Sequence, residues 1–163
     1  MPKRTIDTET RALRGDHGAI RLWLRMLATN RLVETRTRRL LQERYATTLP
    51  RFDLMAQLER SPQGLRMNEL SKRMMVTGGN VTGITDMLEH EGLVERVADP
   101  ADRRVWRVRL TRAGRRGFTA MAEEHERWIV ETFAELSERE MNAMAGLLGR
   151  LKAHVRSLEG SEA

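Results

Sequence analysis

The tightest constraint on the fold lies in six consecutive residues. Val105-Trp106-Arg107-Val108-Arg109-Leu110 alternates apolar and basic side chains almost without a break, a period of two that fits a strand with two unlike faces. Leu93-Val94-Glu95-Arg96-Val97 precedes it, and Asp99-Pro100-Ala101-Asp102-Arg103-Arg104 between the two runs has the composition of a turn. The expectation is a hairpin with Trp106, Val108 and Leu110 on one face and Arg107 and Arg109 on the other, a wet cationic side. Apolar residues elsewhere recur at three and four positions, so the chain should be mainly α with one small β-hairpin.

Ile20, Trp23, Leu24, Leu27, Val33, Leu40 and Leu41 predict a long amphipathic helix at about 18–45. Residues 1–17 are polar and unpatterned, the character of a loose arm. Pro50 opens a short second helix carrying Phe52, Leu54, Met55 and Leu58, which stops before Ser61-Pro62-Gln63-Gly64. Met67, Leu70 and Met74 then share one stripe, and Val76 leads into a helix bearing Val81, Ile84 and Leu88 that Gly92 ends. Two short helices a few residues apart are the pattern of a helix-turn-helix.

Beyond the hairpin, Thr111 is placed to cap a helix with Phe118, Met121, Ala122, Ile129 and Phe133 apolar. Ser137 and Glu140 form a capping box for the last helix. Its Met141, Met144, Leu148, Leu151, Val155 and Leu158 alternate spacings of three and four, a coiled-coil seam that needs a partner. The organisation expected is an arm (1–17), N-terminal helices (18–60), a winged helix-turn-helix region (61–111), C-terminal dimerisation helices (112–158) and a tail (159–163).

Composition narrows the function classes. The chain lacks cysteine, which excludes disulfides, thiolate metal sites and cysteine nucleophiles. No apolar run reaches the roughly 18 residues of a membrane span, and the first residues lack the apolar centre of a secretory signal, so a cytoplasmic protein is expected. His17, His90, His125 and His154 are dispersed without metal-ligand spacing, and no segment brings together a nucleophile, a base and an oxyanion site. No metal, cofactor or enzymatic activity is expected. A formal charge of +6 favours a polyanionic partner. Only Lys3, Lys72 and Lys152 among the 29 basic residues are lysines, an arginine bias that fits selection for bidentate contacts as well as it fits genomic base composition.

The residues that carry the chemistry sit in two places. Thr77, Asn80 and Thr82 lie off the apolar stripe of the second short helix and are free to face a DNA major groove, where Asn pairs with adenine and Thr meets a thymine methyl. An ordinary solvated face with Thr77 as an N-cap is the bland alternative. Gly78, Gly79 and Gly83 either admit close backbone approach to DNA or only loosen the helix. They do not make a nucleotide loop, since Ile84-Thr85 stands where a phosphate-binding loop needs Lys-Ser/Thr. Arg103 and Arg104 at the hairpin tip suit a narrow minor groove; alternatively Asp99 or Asp102 holds them in salt bridges that shape the turn.

In this order and spacing the pieces resemble the MarR family of bacterial transcriptional regulators. Leu70-Ser71-Lys72-Arg73-Met74-Met75-Val76-Thr77 is similar to the family's first helix and turn, and Val81 through Glu89 to its recognition helix. Gly92-Leu93-Val94-Glu95-Arg96, Asp99 through Arg104 and Leu110-Thr111-Arg112-Ala113-Gly114 are similar to its wing and the start of its fifth helix. The resemblance covers about residues 18–158. It implies a homodimer whose N- and C-terminal helices interlock, binding a palindromic operator on double-stranded DNA, with repression expected. It also implies an effector site formed by Trp23, Leu27, Asp53 and His125 or Trp128, although Trp23 and Trp128 equally suit a plain core or dimer interface. Trp23 and Thr48-Leu49-Pro50-Arg51-Phe52-Asp53 are similar to regulators of aromatic-acid catabolism, so the expected effector is a small aromatic acid or its coenzyme A thioester. Arg36, Arg38 and Arg39 could hold its anionic part or form a solvated face. The competing readings are an architectural DNA-binding protein without ligand response and a module that binds an acidic protein.

Overall fold

The computed structural model describes residues 18–102 and 104–160, so the expected arm at 1–17, Arg103 and residues 161–163 lie outside the described residues. The elements are α1 (Gly18–Tyr45), α2 (Leu49–Glu59), β1 (Leu65–Arg66), α3 (Met67–Met74), α4 (Gly78–His90), β2 (Val94–Ala98), β3 (Trp106–Leu110), α5 (Arg112–Thr132) and α6 (Glu138–Gly160). They form a winged helix-turn-helix, mainly α with a small antiparallel sheet.

Local chemistry sets the helix ends. Pro50 occupies the first turn of α2, where its missing N–H costs nothing. The Thr111 hydroxyl accepts the Gly114 N–H at 3.0 Å and so caps α5. At α6 the box is reciprocal: Ser137 N–H donates to Glu140 Oε2 at 2.9 Å and Glu140 N–H to Ser137 Oγ at 3.3 Å. The Ser137 hydroxyl, donating to Glu140 Oε2 at 2.6 Å, and then the Ser137 N–H stabilise the ionised form and lower the Glu140 pKa below its ordinary value. Gly92 follows α4 with φ +69°. Met75 ends α3 in the left-handed region at φ 53°, and Val76 N–H donates to Ser71 O at 3.2 Å.

The sheet has three strands in the order β1-β3-β2, all antiparallel. The hairpin is thus present, with a third strand added on its outer side. β1 pairs Leu65 with Val108 and Arg66 with Arg107, and goes no further. Trp106, expected on the apolar face, is accordingly 54% exposed while Val108 and Leu110 are buried. Gly64 leads into β1 at φ +80°, and a Cβ there would lie 2.7 Å from the Val108 carbonyl oxygen. Only glycine fits that approach. A Cβ on Gly114 would meet the Leu93 carbonyl oxygen at 1.9 Å, so the first turn of α5 sits directly on the start of the wing.

The chain divides into two compact units, the first ending at Glu123 and the second beginning at Glu124. In the first, Leu54, Met55 and Leu58 of α2, Leu70 of α3, Val81 and Leu88 of α4, Val94 and Val108 of the sheet and Leu41 of α1 are almost fully buried. Each such side chain stabilises the fold by roughly 1.5–3 kcal/mol relative to exposure. Phe52 and Phe118 join α2 to α5 with ring centroids 5.4 Å apart. In the second unit every residue from Ser137 to Leu158 is exposed, the apolar seam of α6 included.

Candidate nucleic-acid interface

The geometry of α4 follows from its buried stripe. Val81, Thr85 and Leu88 are buried, and at about 100° per residue the opposite side of the helix carries Gly79, Gly83, Asp86 and His90. Asn80, Thr82 and Met87 flank that ridge. All seven are exposed. Thr77 occupies the N-cap position, but its side chain makes no capping hydrogen bond. Thr82 Oγ1 donates to the Gly78 carbonyl at 3.0 Å. Among the described residues a Cβ on Gly78, Gly79 or Gly83 would meet nothing within 4 Å, so packing among them does not demand these glycines.

Ion pairs that the sequence did not disclose hold this helix in place. Arg96 of β2 bonds both Asp86 and Glu89 of α4, and the Asp86 bond heads the causes that raise its pKa above the ordinary arginine value. Arg51 of α2 pairs with Glu91 just past the helix end, while its buried Nε finds no partner among the described residues. Arg115 of α5 reaches Glu59 of α2 at 2.8 Å.

At the wing the expected wet cationic face is not found. Glu95 stands directly opposite Arg109 in the ladder, and their side chains meet at 2.7 Å. Arg66 and Arg107, also directly opposed, are like charges that would repel. Asp99 resolves the conflict: Oδ2 accepts from Arg66 Nε at 2.9 Å and Arg107 Nε at 2.7 Å, and Oδ1 accepts the Ala101 N–H at 2.9 Å. Its side chain is 1% exposed. The Ala101 bond, followed by those from the two arginines, holds its carboxyl well below the usual carboxylate range against the opposing effect of burial. Asp99 therefore locks the base of the wing, and Arg104 is held by another acid.

The tip belongs to Asp102, whose Oδ1 accepts from Arg104 N–H at 3.0 Å and Arg104 Nε at 3.2 Å. The Arg104 side chain remains 91% exposed. An exposed pair of this kind holds its members weakly, so Asp102 orients Arg104 without withdrawing it from a polyanion. Arg103 lies outside the described residues.

The expected effector residues fall in both units. Trp23 is 57% exposed on α1 and Leu27 is half-buried one turn on. Asp53 interacts electrostatically with Arg38 and Glu34, at least eleven positions beyond Trp23 and so roughly 16 Å along the helix axis. Partial burial raises the Asp53 pKa, Arg38 opposes that shift and Glu34 adds to it. In the second unit His125 and Trp128 meet edge to face with centroids 6.4 Å apart, and burial lowers the His125 pKa. Arg38 and Arg39 form i,i+4 pairs with Glu34 and Glu43, the solvated-face reading of that segment. Among the described residues no group of three His, Asp or Glu could hold a metal, and no helix is long and apolar enough to cross a membrane.

A helix-turn-helix whose second helix keeps an exposed outer face, followed by a hairpin that pairs with the short β1, defines the winged helix-turn-helix class. The profile of the MarR family matches residues 47–106. The crystal structure of a MarR family transcriptional regulator from Silicibacter pomeroyi is 34% identical, with a TM-score of 0.72 over 86% of this chain and 99% of that one. The chain belongs to the MarR family of transcriptional regulators and is not an enzyme. Sco3205 from Streptomyces coelicolor, a MarR family regulator solved in complex with DNA, shares the fold with a TM-score of 0.75 at 22% identity, over 86% of this chain and 88% of its own. BadR of Rhodopseudomonas palustris, described as a transcriptional activatory protein, is 29% identical over 126 residues, 76% of this chain and 71% of its own. The chain spans 63–84% of the length of three Bacillus subtilis regulators of helix-turn-helix type that it matches at 27–30% identity.

Proposed function

We propose that this protein is a cytoplasmic, sequence-specific DNA-binding regulator that acts as a homodimer on a palindromic operator. The observation that carries the reading is the outer face of α4, where Gly79, Asn80, Thr82 and Gly83 are exposed and no described residue packs on the glycines. The outward Arg104 of the wing tip adds to it. Contacts are assigned to Thr77, Gly78, Gly79, Asn80 and Thr82 in the major groove and to Arg103 and Arg104 at the wing. The DNA complex of the structurally similar Sco3205 supports the same use of the fold. Dimerisation is assigned to the exposed Ile20, Leu22, Trp23 and Leu32 of α1 and to the seam Met141, Met144, Leu148, Leu151, Val155 and Leu158 of α6.

Selection of duplexes from a random pool, followed by footprinting, tests this function. The expected product is an inverted repeat protected on both half-sites. A protein that binds duplexes with no enriched repeat is instead architectural, because specific sites bind roughly 10³–10⁷-fold more tightly than non-specific DNA.

The ligand response is part of the same proposal. A small aromatic acid or its coenzyme A thioester releases the operator and relieves repression; the candidate contacts are Trp23, Leu27 and Asp53 in the first unit and, taken by themselves, His125 or Trp128 in the second. A ligand about 100-fold tighter on the DNA-incompetent state shifts the equilibrium by that factor. Titration of the operator complex with benzoates, hydroxycinnamates and their thioesters should lower affinity. No release at millimolar concentration removes the sensor. Because BadR is described as activatory, transcription from the operator in vitro decides the sign.

A further inference from the structure

The helix α4 carries no positive charge besides what His90 can take up. Gly78–His90 contains no lysine or arginine, and its two acids, Asp86 and Glu89, are both held by Arg96. The commonest reader of guanine, a bidentate arginine or lysine, is therefore absent from the helix. The commonest reader of cytosine is a free carboxylate accepting from its amino group, and here both carboxylates share the largely covered Arg96. Apart from the His90 imidazole at the C-terminal end of α4, what the outer face offers is an amide and apolar groups.

Asn80 is exposed and its amide makes no hydrogen bond to any described residue. Its oxygen and NH₂ match the N6 and N7 edge of adenine. Met87 is 54% exposed on the same side of the helix, seven residues on, or about 10.5 Å along the axis at 1.5 Å per residue. That separation corresponds to about three base-pair steps of 3.4 Å. Between them stands Gly83, whose missing Cβ leaves both side chains unobstructed. On the other flank the Thr82 hydroxyl hydrogen is committed to the Gly78 carbonyl, so this side chain presents a methyl group and an acceptor lone pair. Apolar contacts of this kind distinguish thymine by its C5 methyl.

We propose that α4 reads A·T base pairs in its half-site, Asn80 pairing with adenine while Met87 and the Thr82 methyl pack on thymine methyl groups, a reading that rests on the DNA-binding function above. Arg96 makes this possible by pairing with both carboxylates, which leaves one net negative charge where two would otherwise face phosphate. The specificity of the helix is thus built from one amide and apolar contacts, and the cations that hold the backbone come from other elements.

The test uses the full chain and its selected duplex. Each thymine of the half-site is replaced in turn by uracil, which lacks the methyl, and each adenine by 7-deazaadenine, which lacks N7. Loss of one buried methyl corresponds to about fourfold in affinity, and loss of the bidentate adenine contact to at least about fivefold. Wild type should weaken by these factors at one or two uracil positions and at one deazaadenine position. Met87→Ala should lose a uracil effect and keep the deazaadenine effect, and Asn80→Ala the reverse. Both residues are exposed, so neither variant should disturb folding. A half-site whose footprinted contacts are G·C pairs, or analogue effects that persist unchanged in both variants, overturns the readout while DNA binding stands. A protein that binds no duplex at all overturns the functional reading and the readout with it.

Discussion

The region from α2 to β3 and the helix α6 were built by opposite rules. The first has a core of its own: Leu54, Met55, Leu58, Leu70, Val81, Leu88, Val94 and Val108 are buried, although Met75, Met87 and Trp106 face outward, and its charges close on one another through Asp99, Arg96 and Glu95. The second leaves a heptad-spaced seam from Met141 to Leu158 wholly exposed. A winged region complete within one chain needs no partner to fold. A seam of this length without cover needs one, because a large exposed apolar stripe marks an interaction surface. The contrast assigns folding and recognition to the wing and assembly to α6.

The largest break in that comparison should come from the seam. Leu148→Glu with Leu151→Glu places charges in the interface while leaving the buried winged core untouched. Sedimentation should show the mass falling from about twice 18.8 kDa to that of one chain, with operator affinity dropping by about a thousandfold toward the non-specific level. A dimer that survives both charges would move the interface off α6.

Arg104 tests the recognition side. Its side chain lies in solvent apart from the weak Asp102 contact, so Arg104→Ala should leave thermal stability within about 0.5 kcal/mol of wild type. The slope of log affinity against log salt should fall by about one unit. An unchanged slope in a titration from low to high salt would remove the wing tip from the interface.

Asp99 sharpens the account of the wing base. Its carboxyl has a lower pKa folded than unfolded, so the stability it contributes is present above the unfolded value of about 3.9 and is lost as pH falls below it. Asp99→Asn should lower stability at neutral pH and flatten the dependence below about pH 4. Thermal scans across that range are the check, and parallel curves for the two proteins would refute the linkage.

Gly83 gives the smallest effect and separates two readings of the glycines. With open space at its Cβ and no left-handed φ, Gly83→Ala should stabilise α4 by about 1 kcal/mol. If the backbone comes close to DNA, the same change weakens operator binding. A variant that is more stable and binds equally well would show that the glycine serves no contact.

Much of the fold was legible in the residues themselves. α1 spans Gly18–Tyr45 as the spacing from Ile20 to Leu41 requires, and Thr111 and Ser137 cap the helices they were placed to cap. What was hidden depends on register. β1 is two residues long, too short to show a period, so the third strand left no trace in the alternation. The cationic face expected of Arg107 and Arg109 was lost because Glu95 falls opposite Arg109 and Asp99 reaches Arg107 across the hairpin. Only the cross-strand pairing reveals those partners. Arg96 was likewise an unremarked strand residue until α4 placed Asp86 and Glu89 beside it. The exposed face of α4 was readable because helical phase depends on local spacing alone.

The central claim is that two recognition helices, joined through a dimer, bind one face of a palindrome. Half-site centres should lie about 10–11 base pairs apart, one helical turn. The direct measurement is the affinity of the full chain for its selected inverted repeat, compared with the same repeat carrying five extra base pairs at the centre. The insertion rotates one half-site to the far side of the duplex. Affinity should fall by about a thousandfold, to the non-specific level, while equal affinity for the two duplexes would contradict the account.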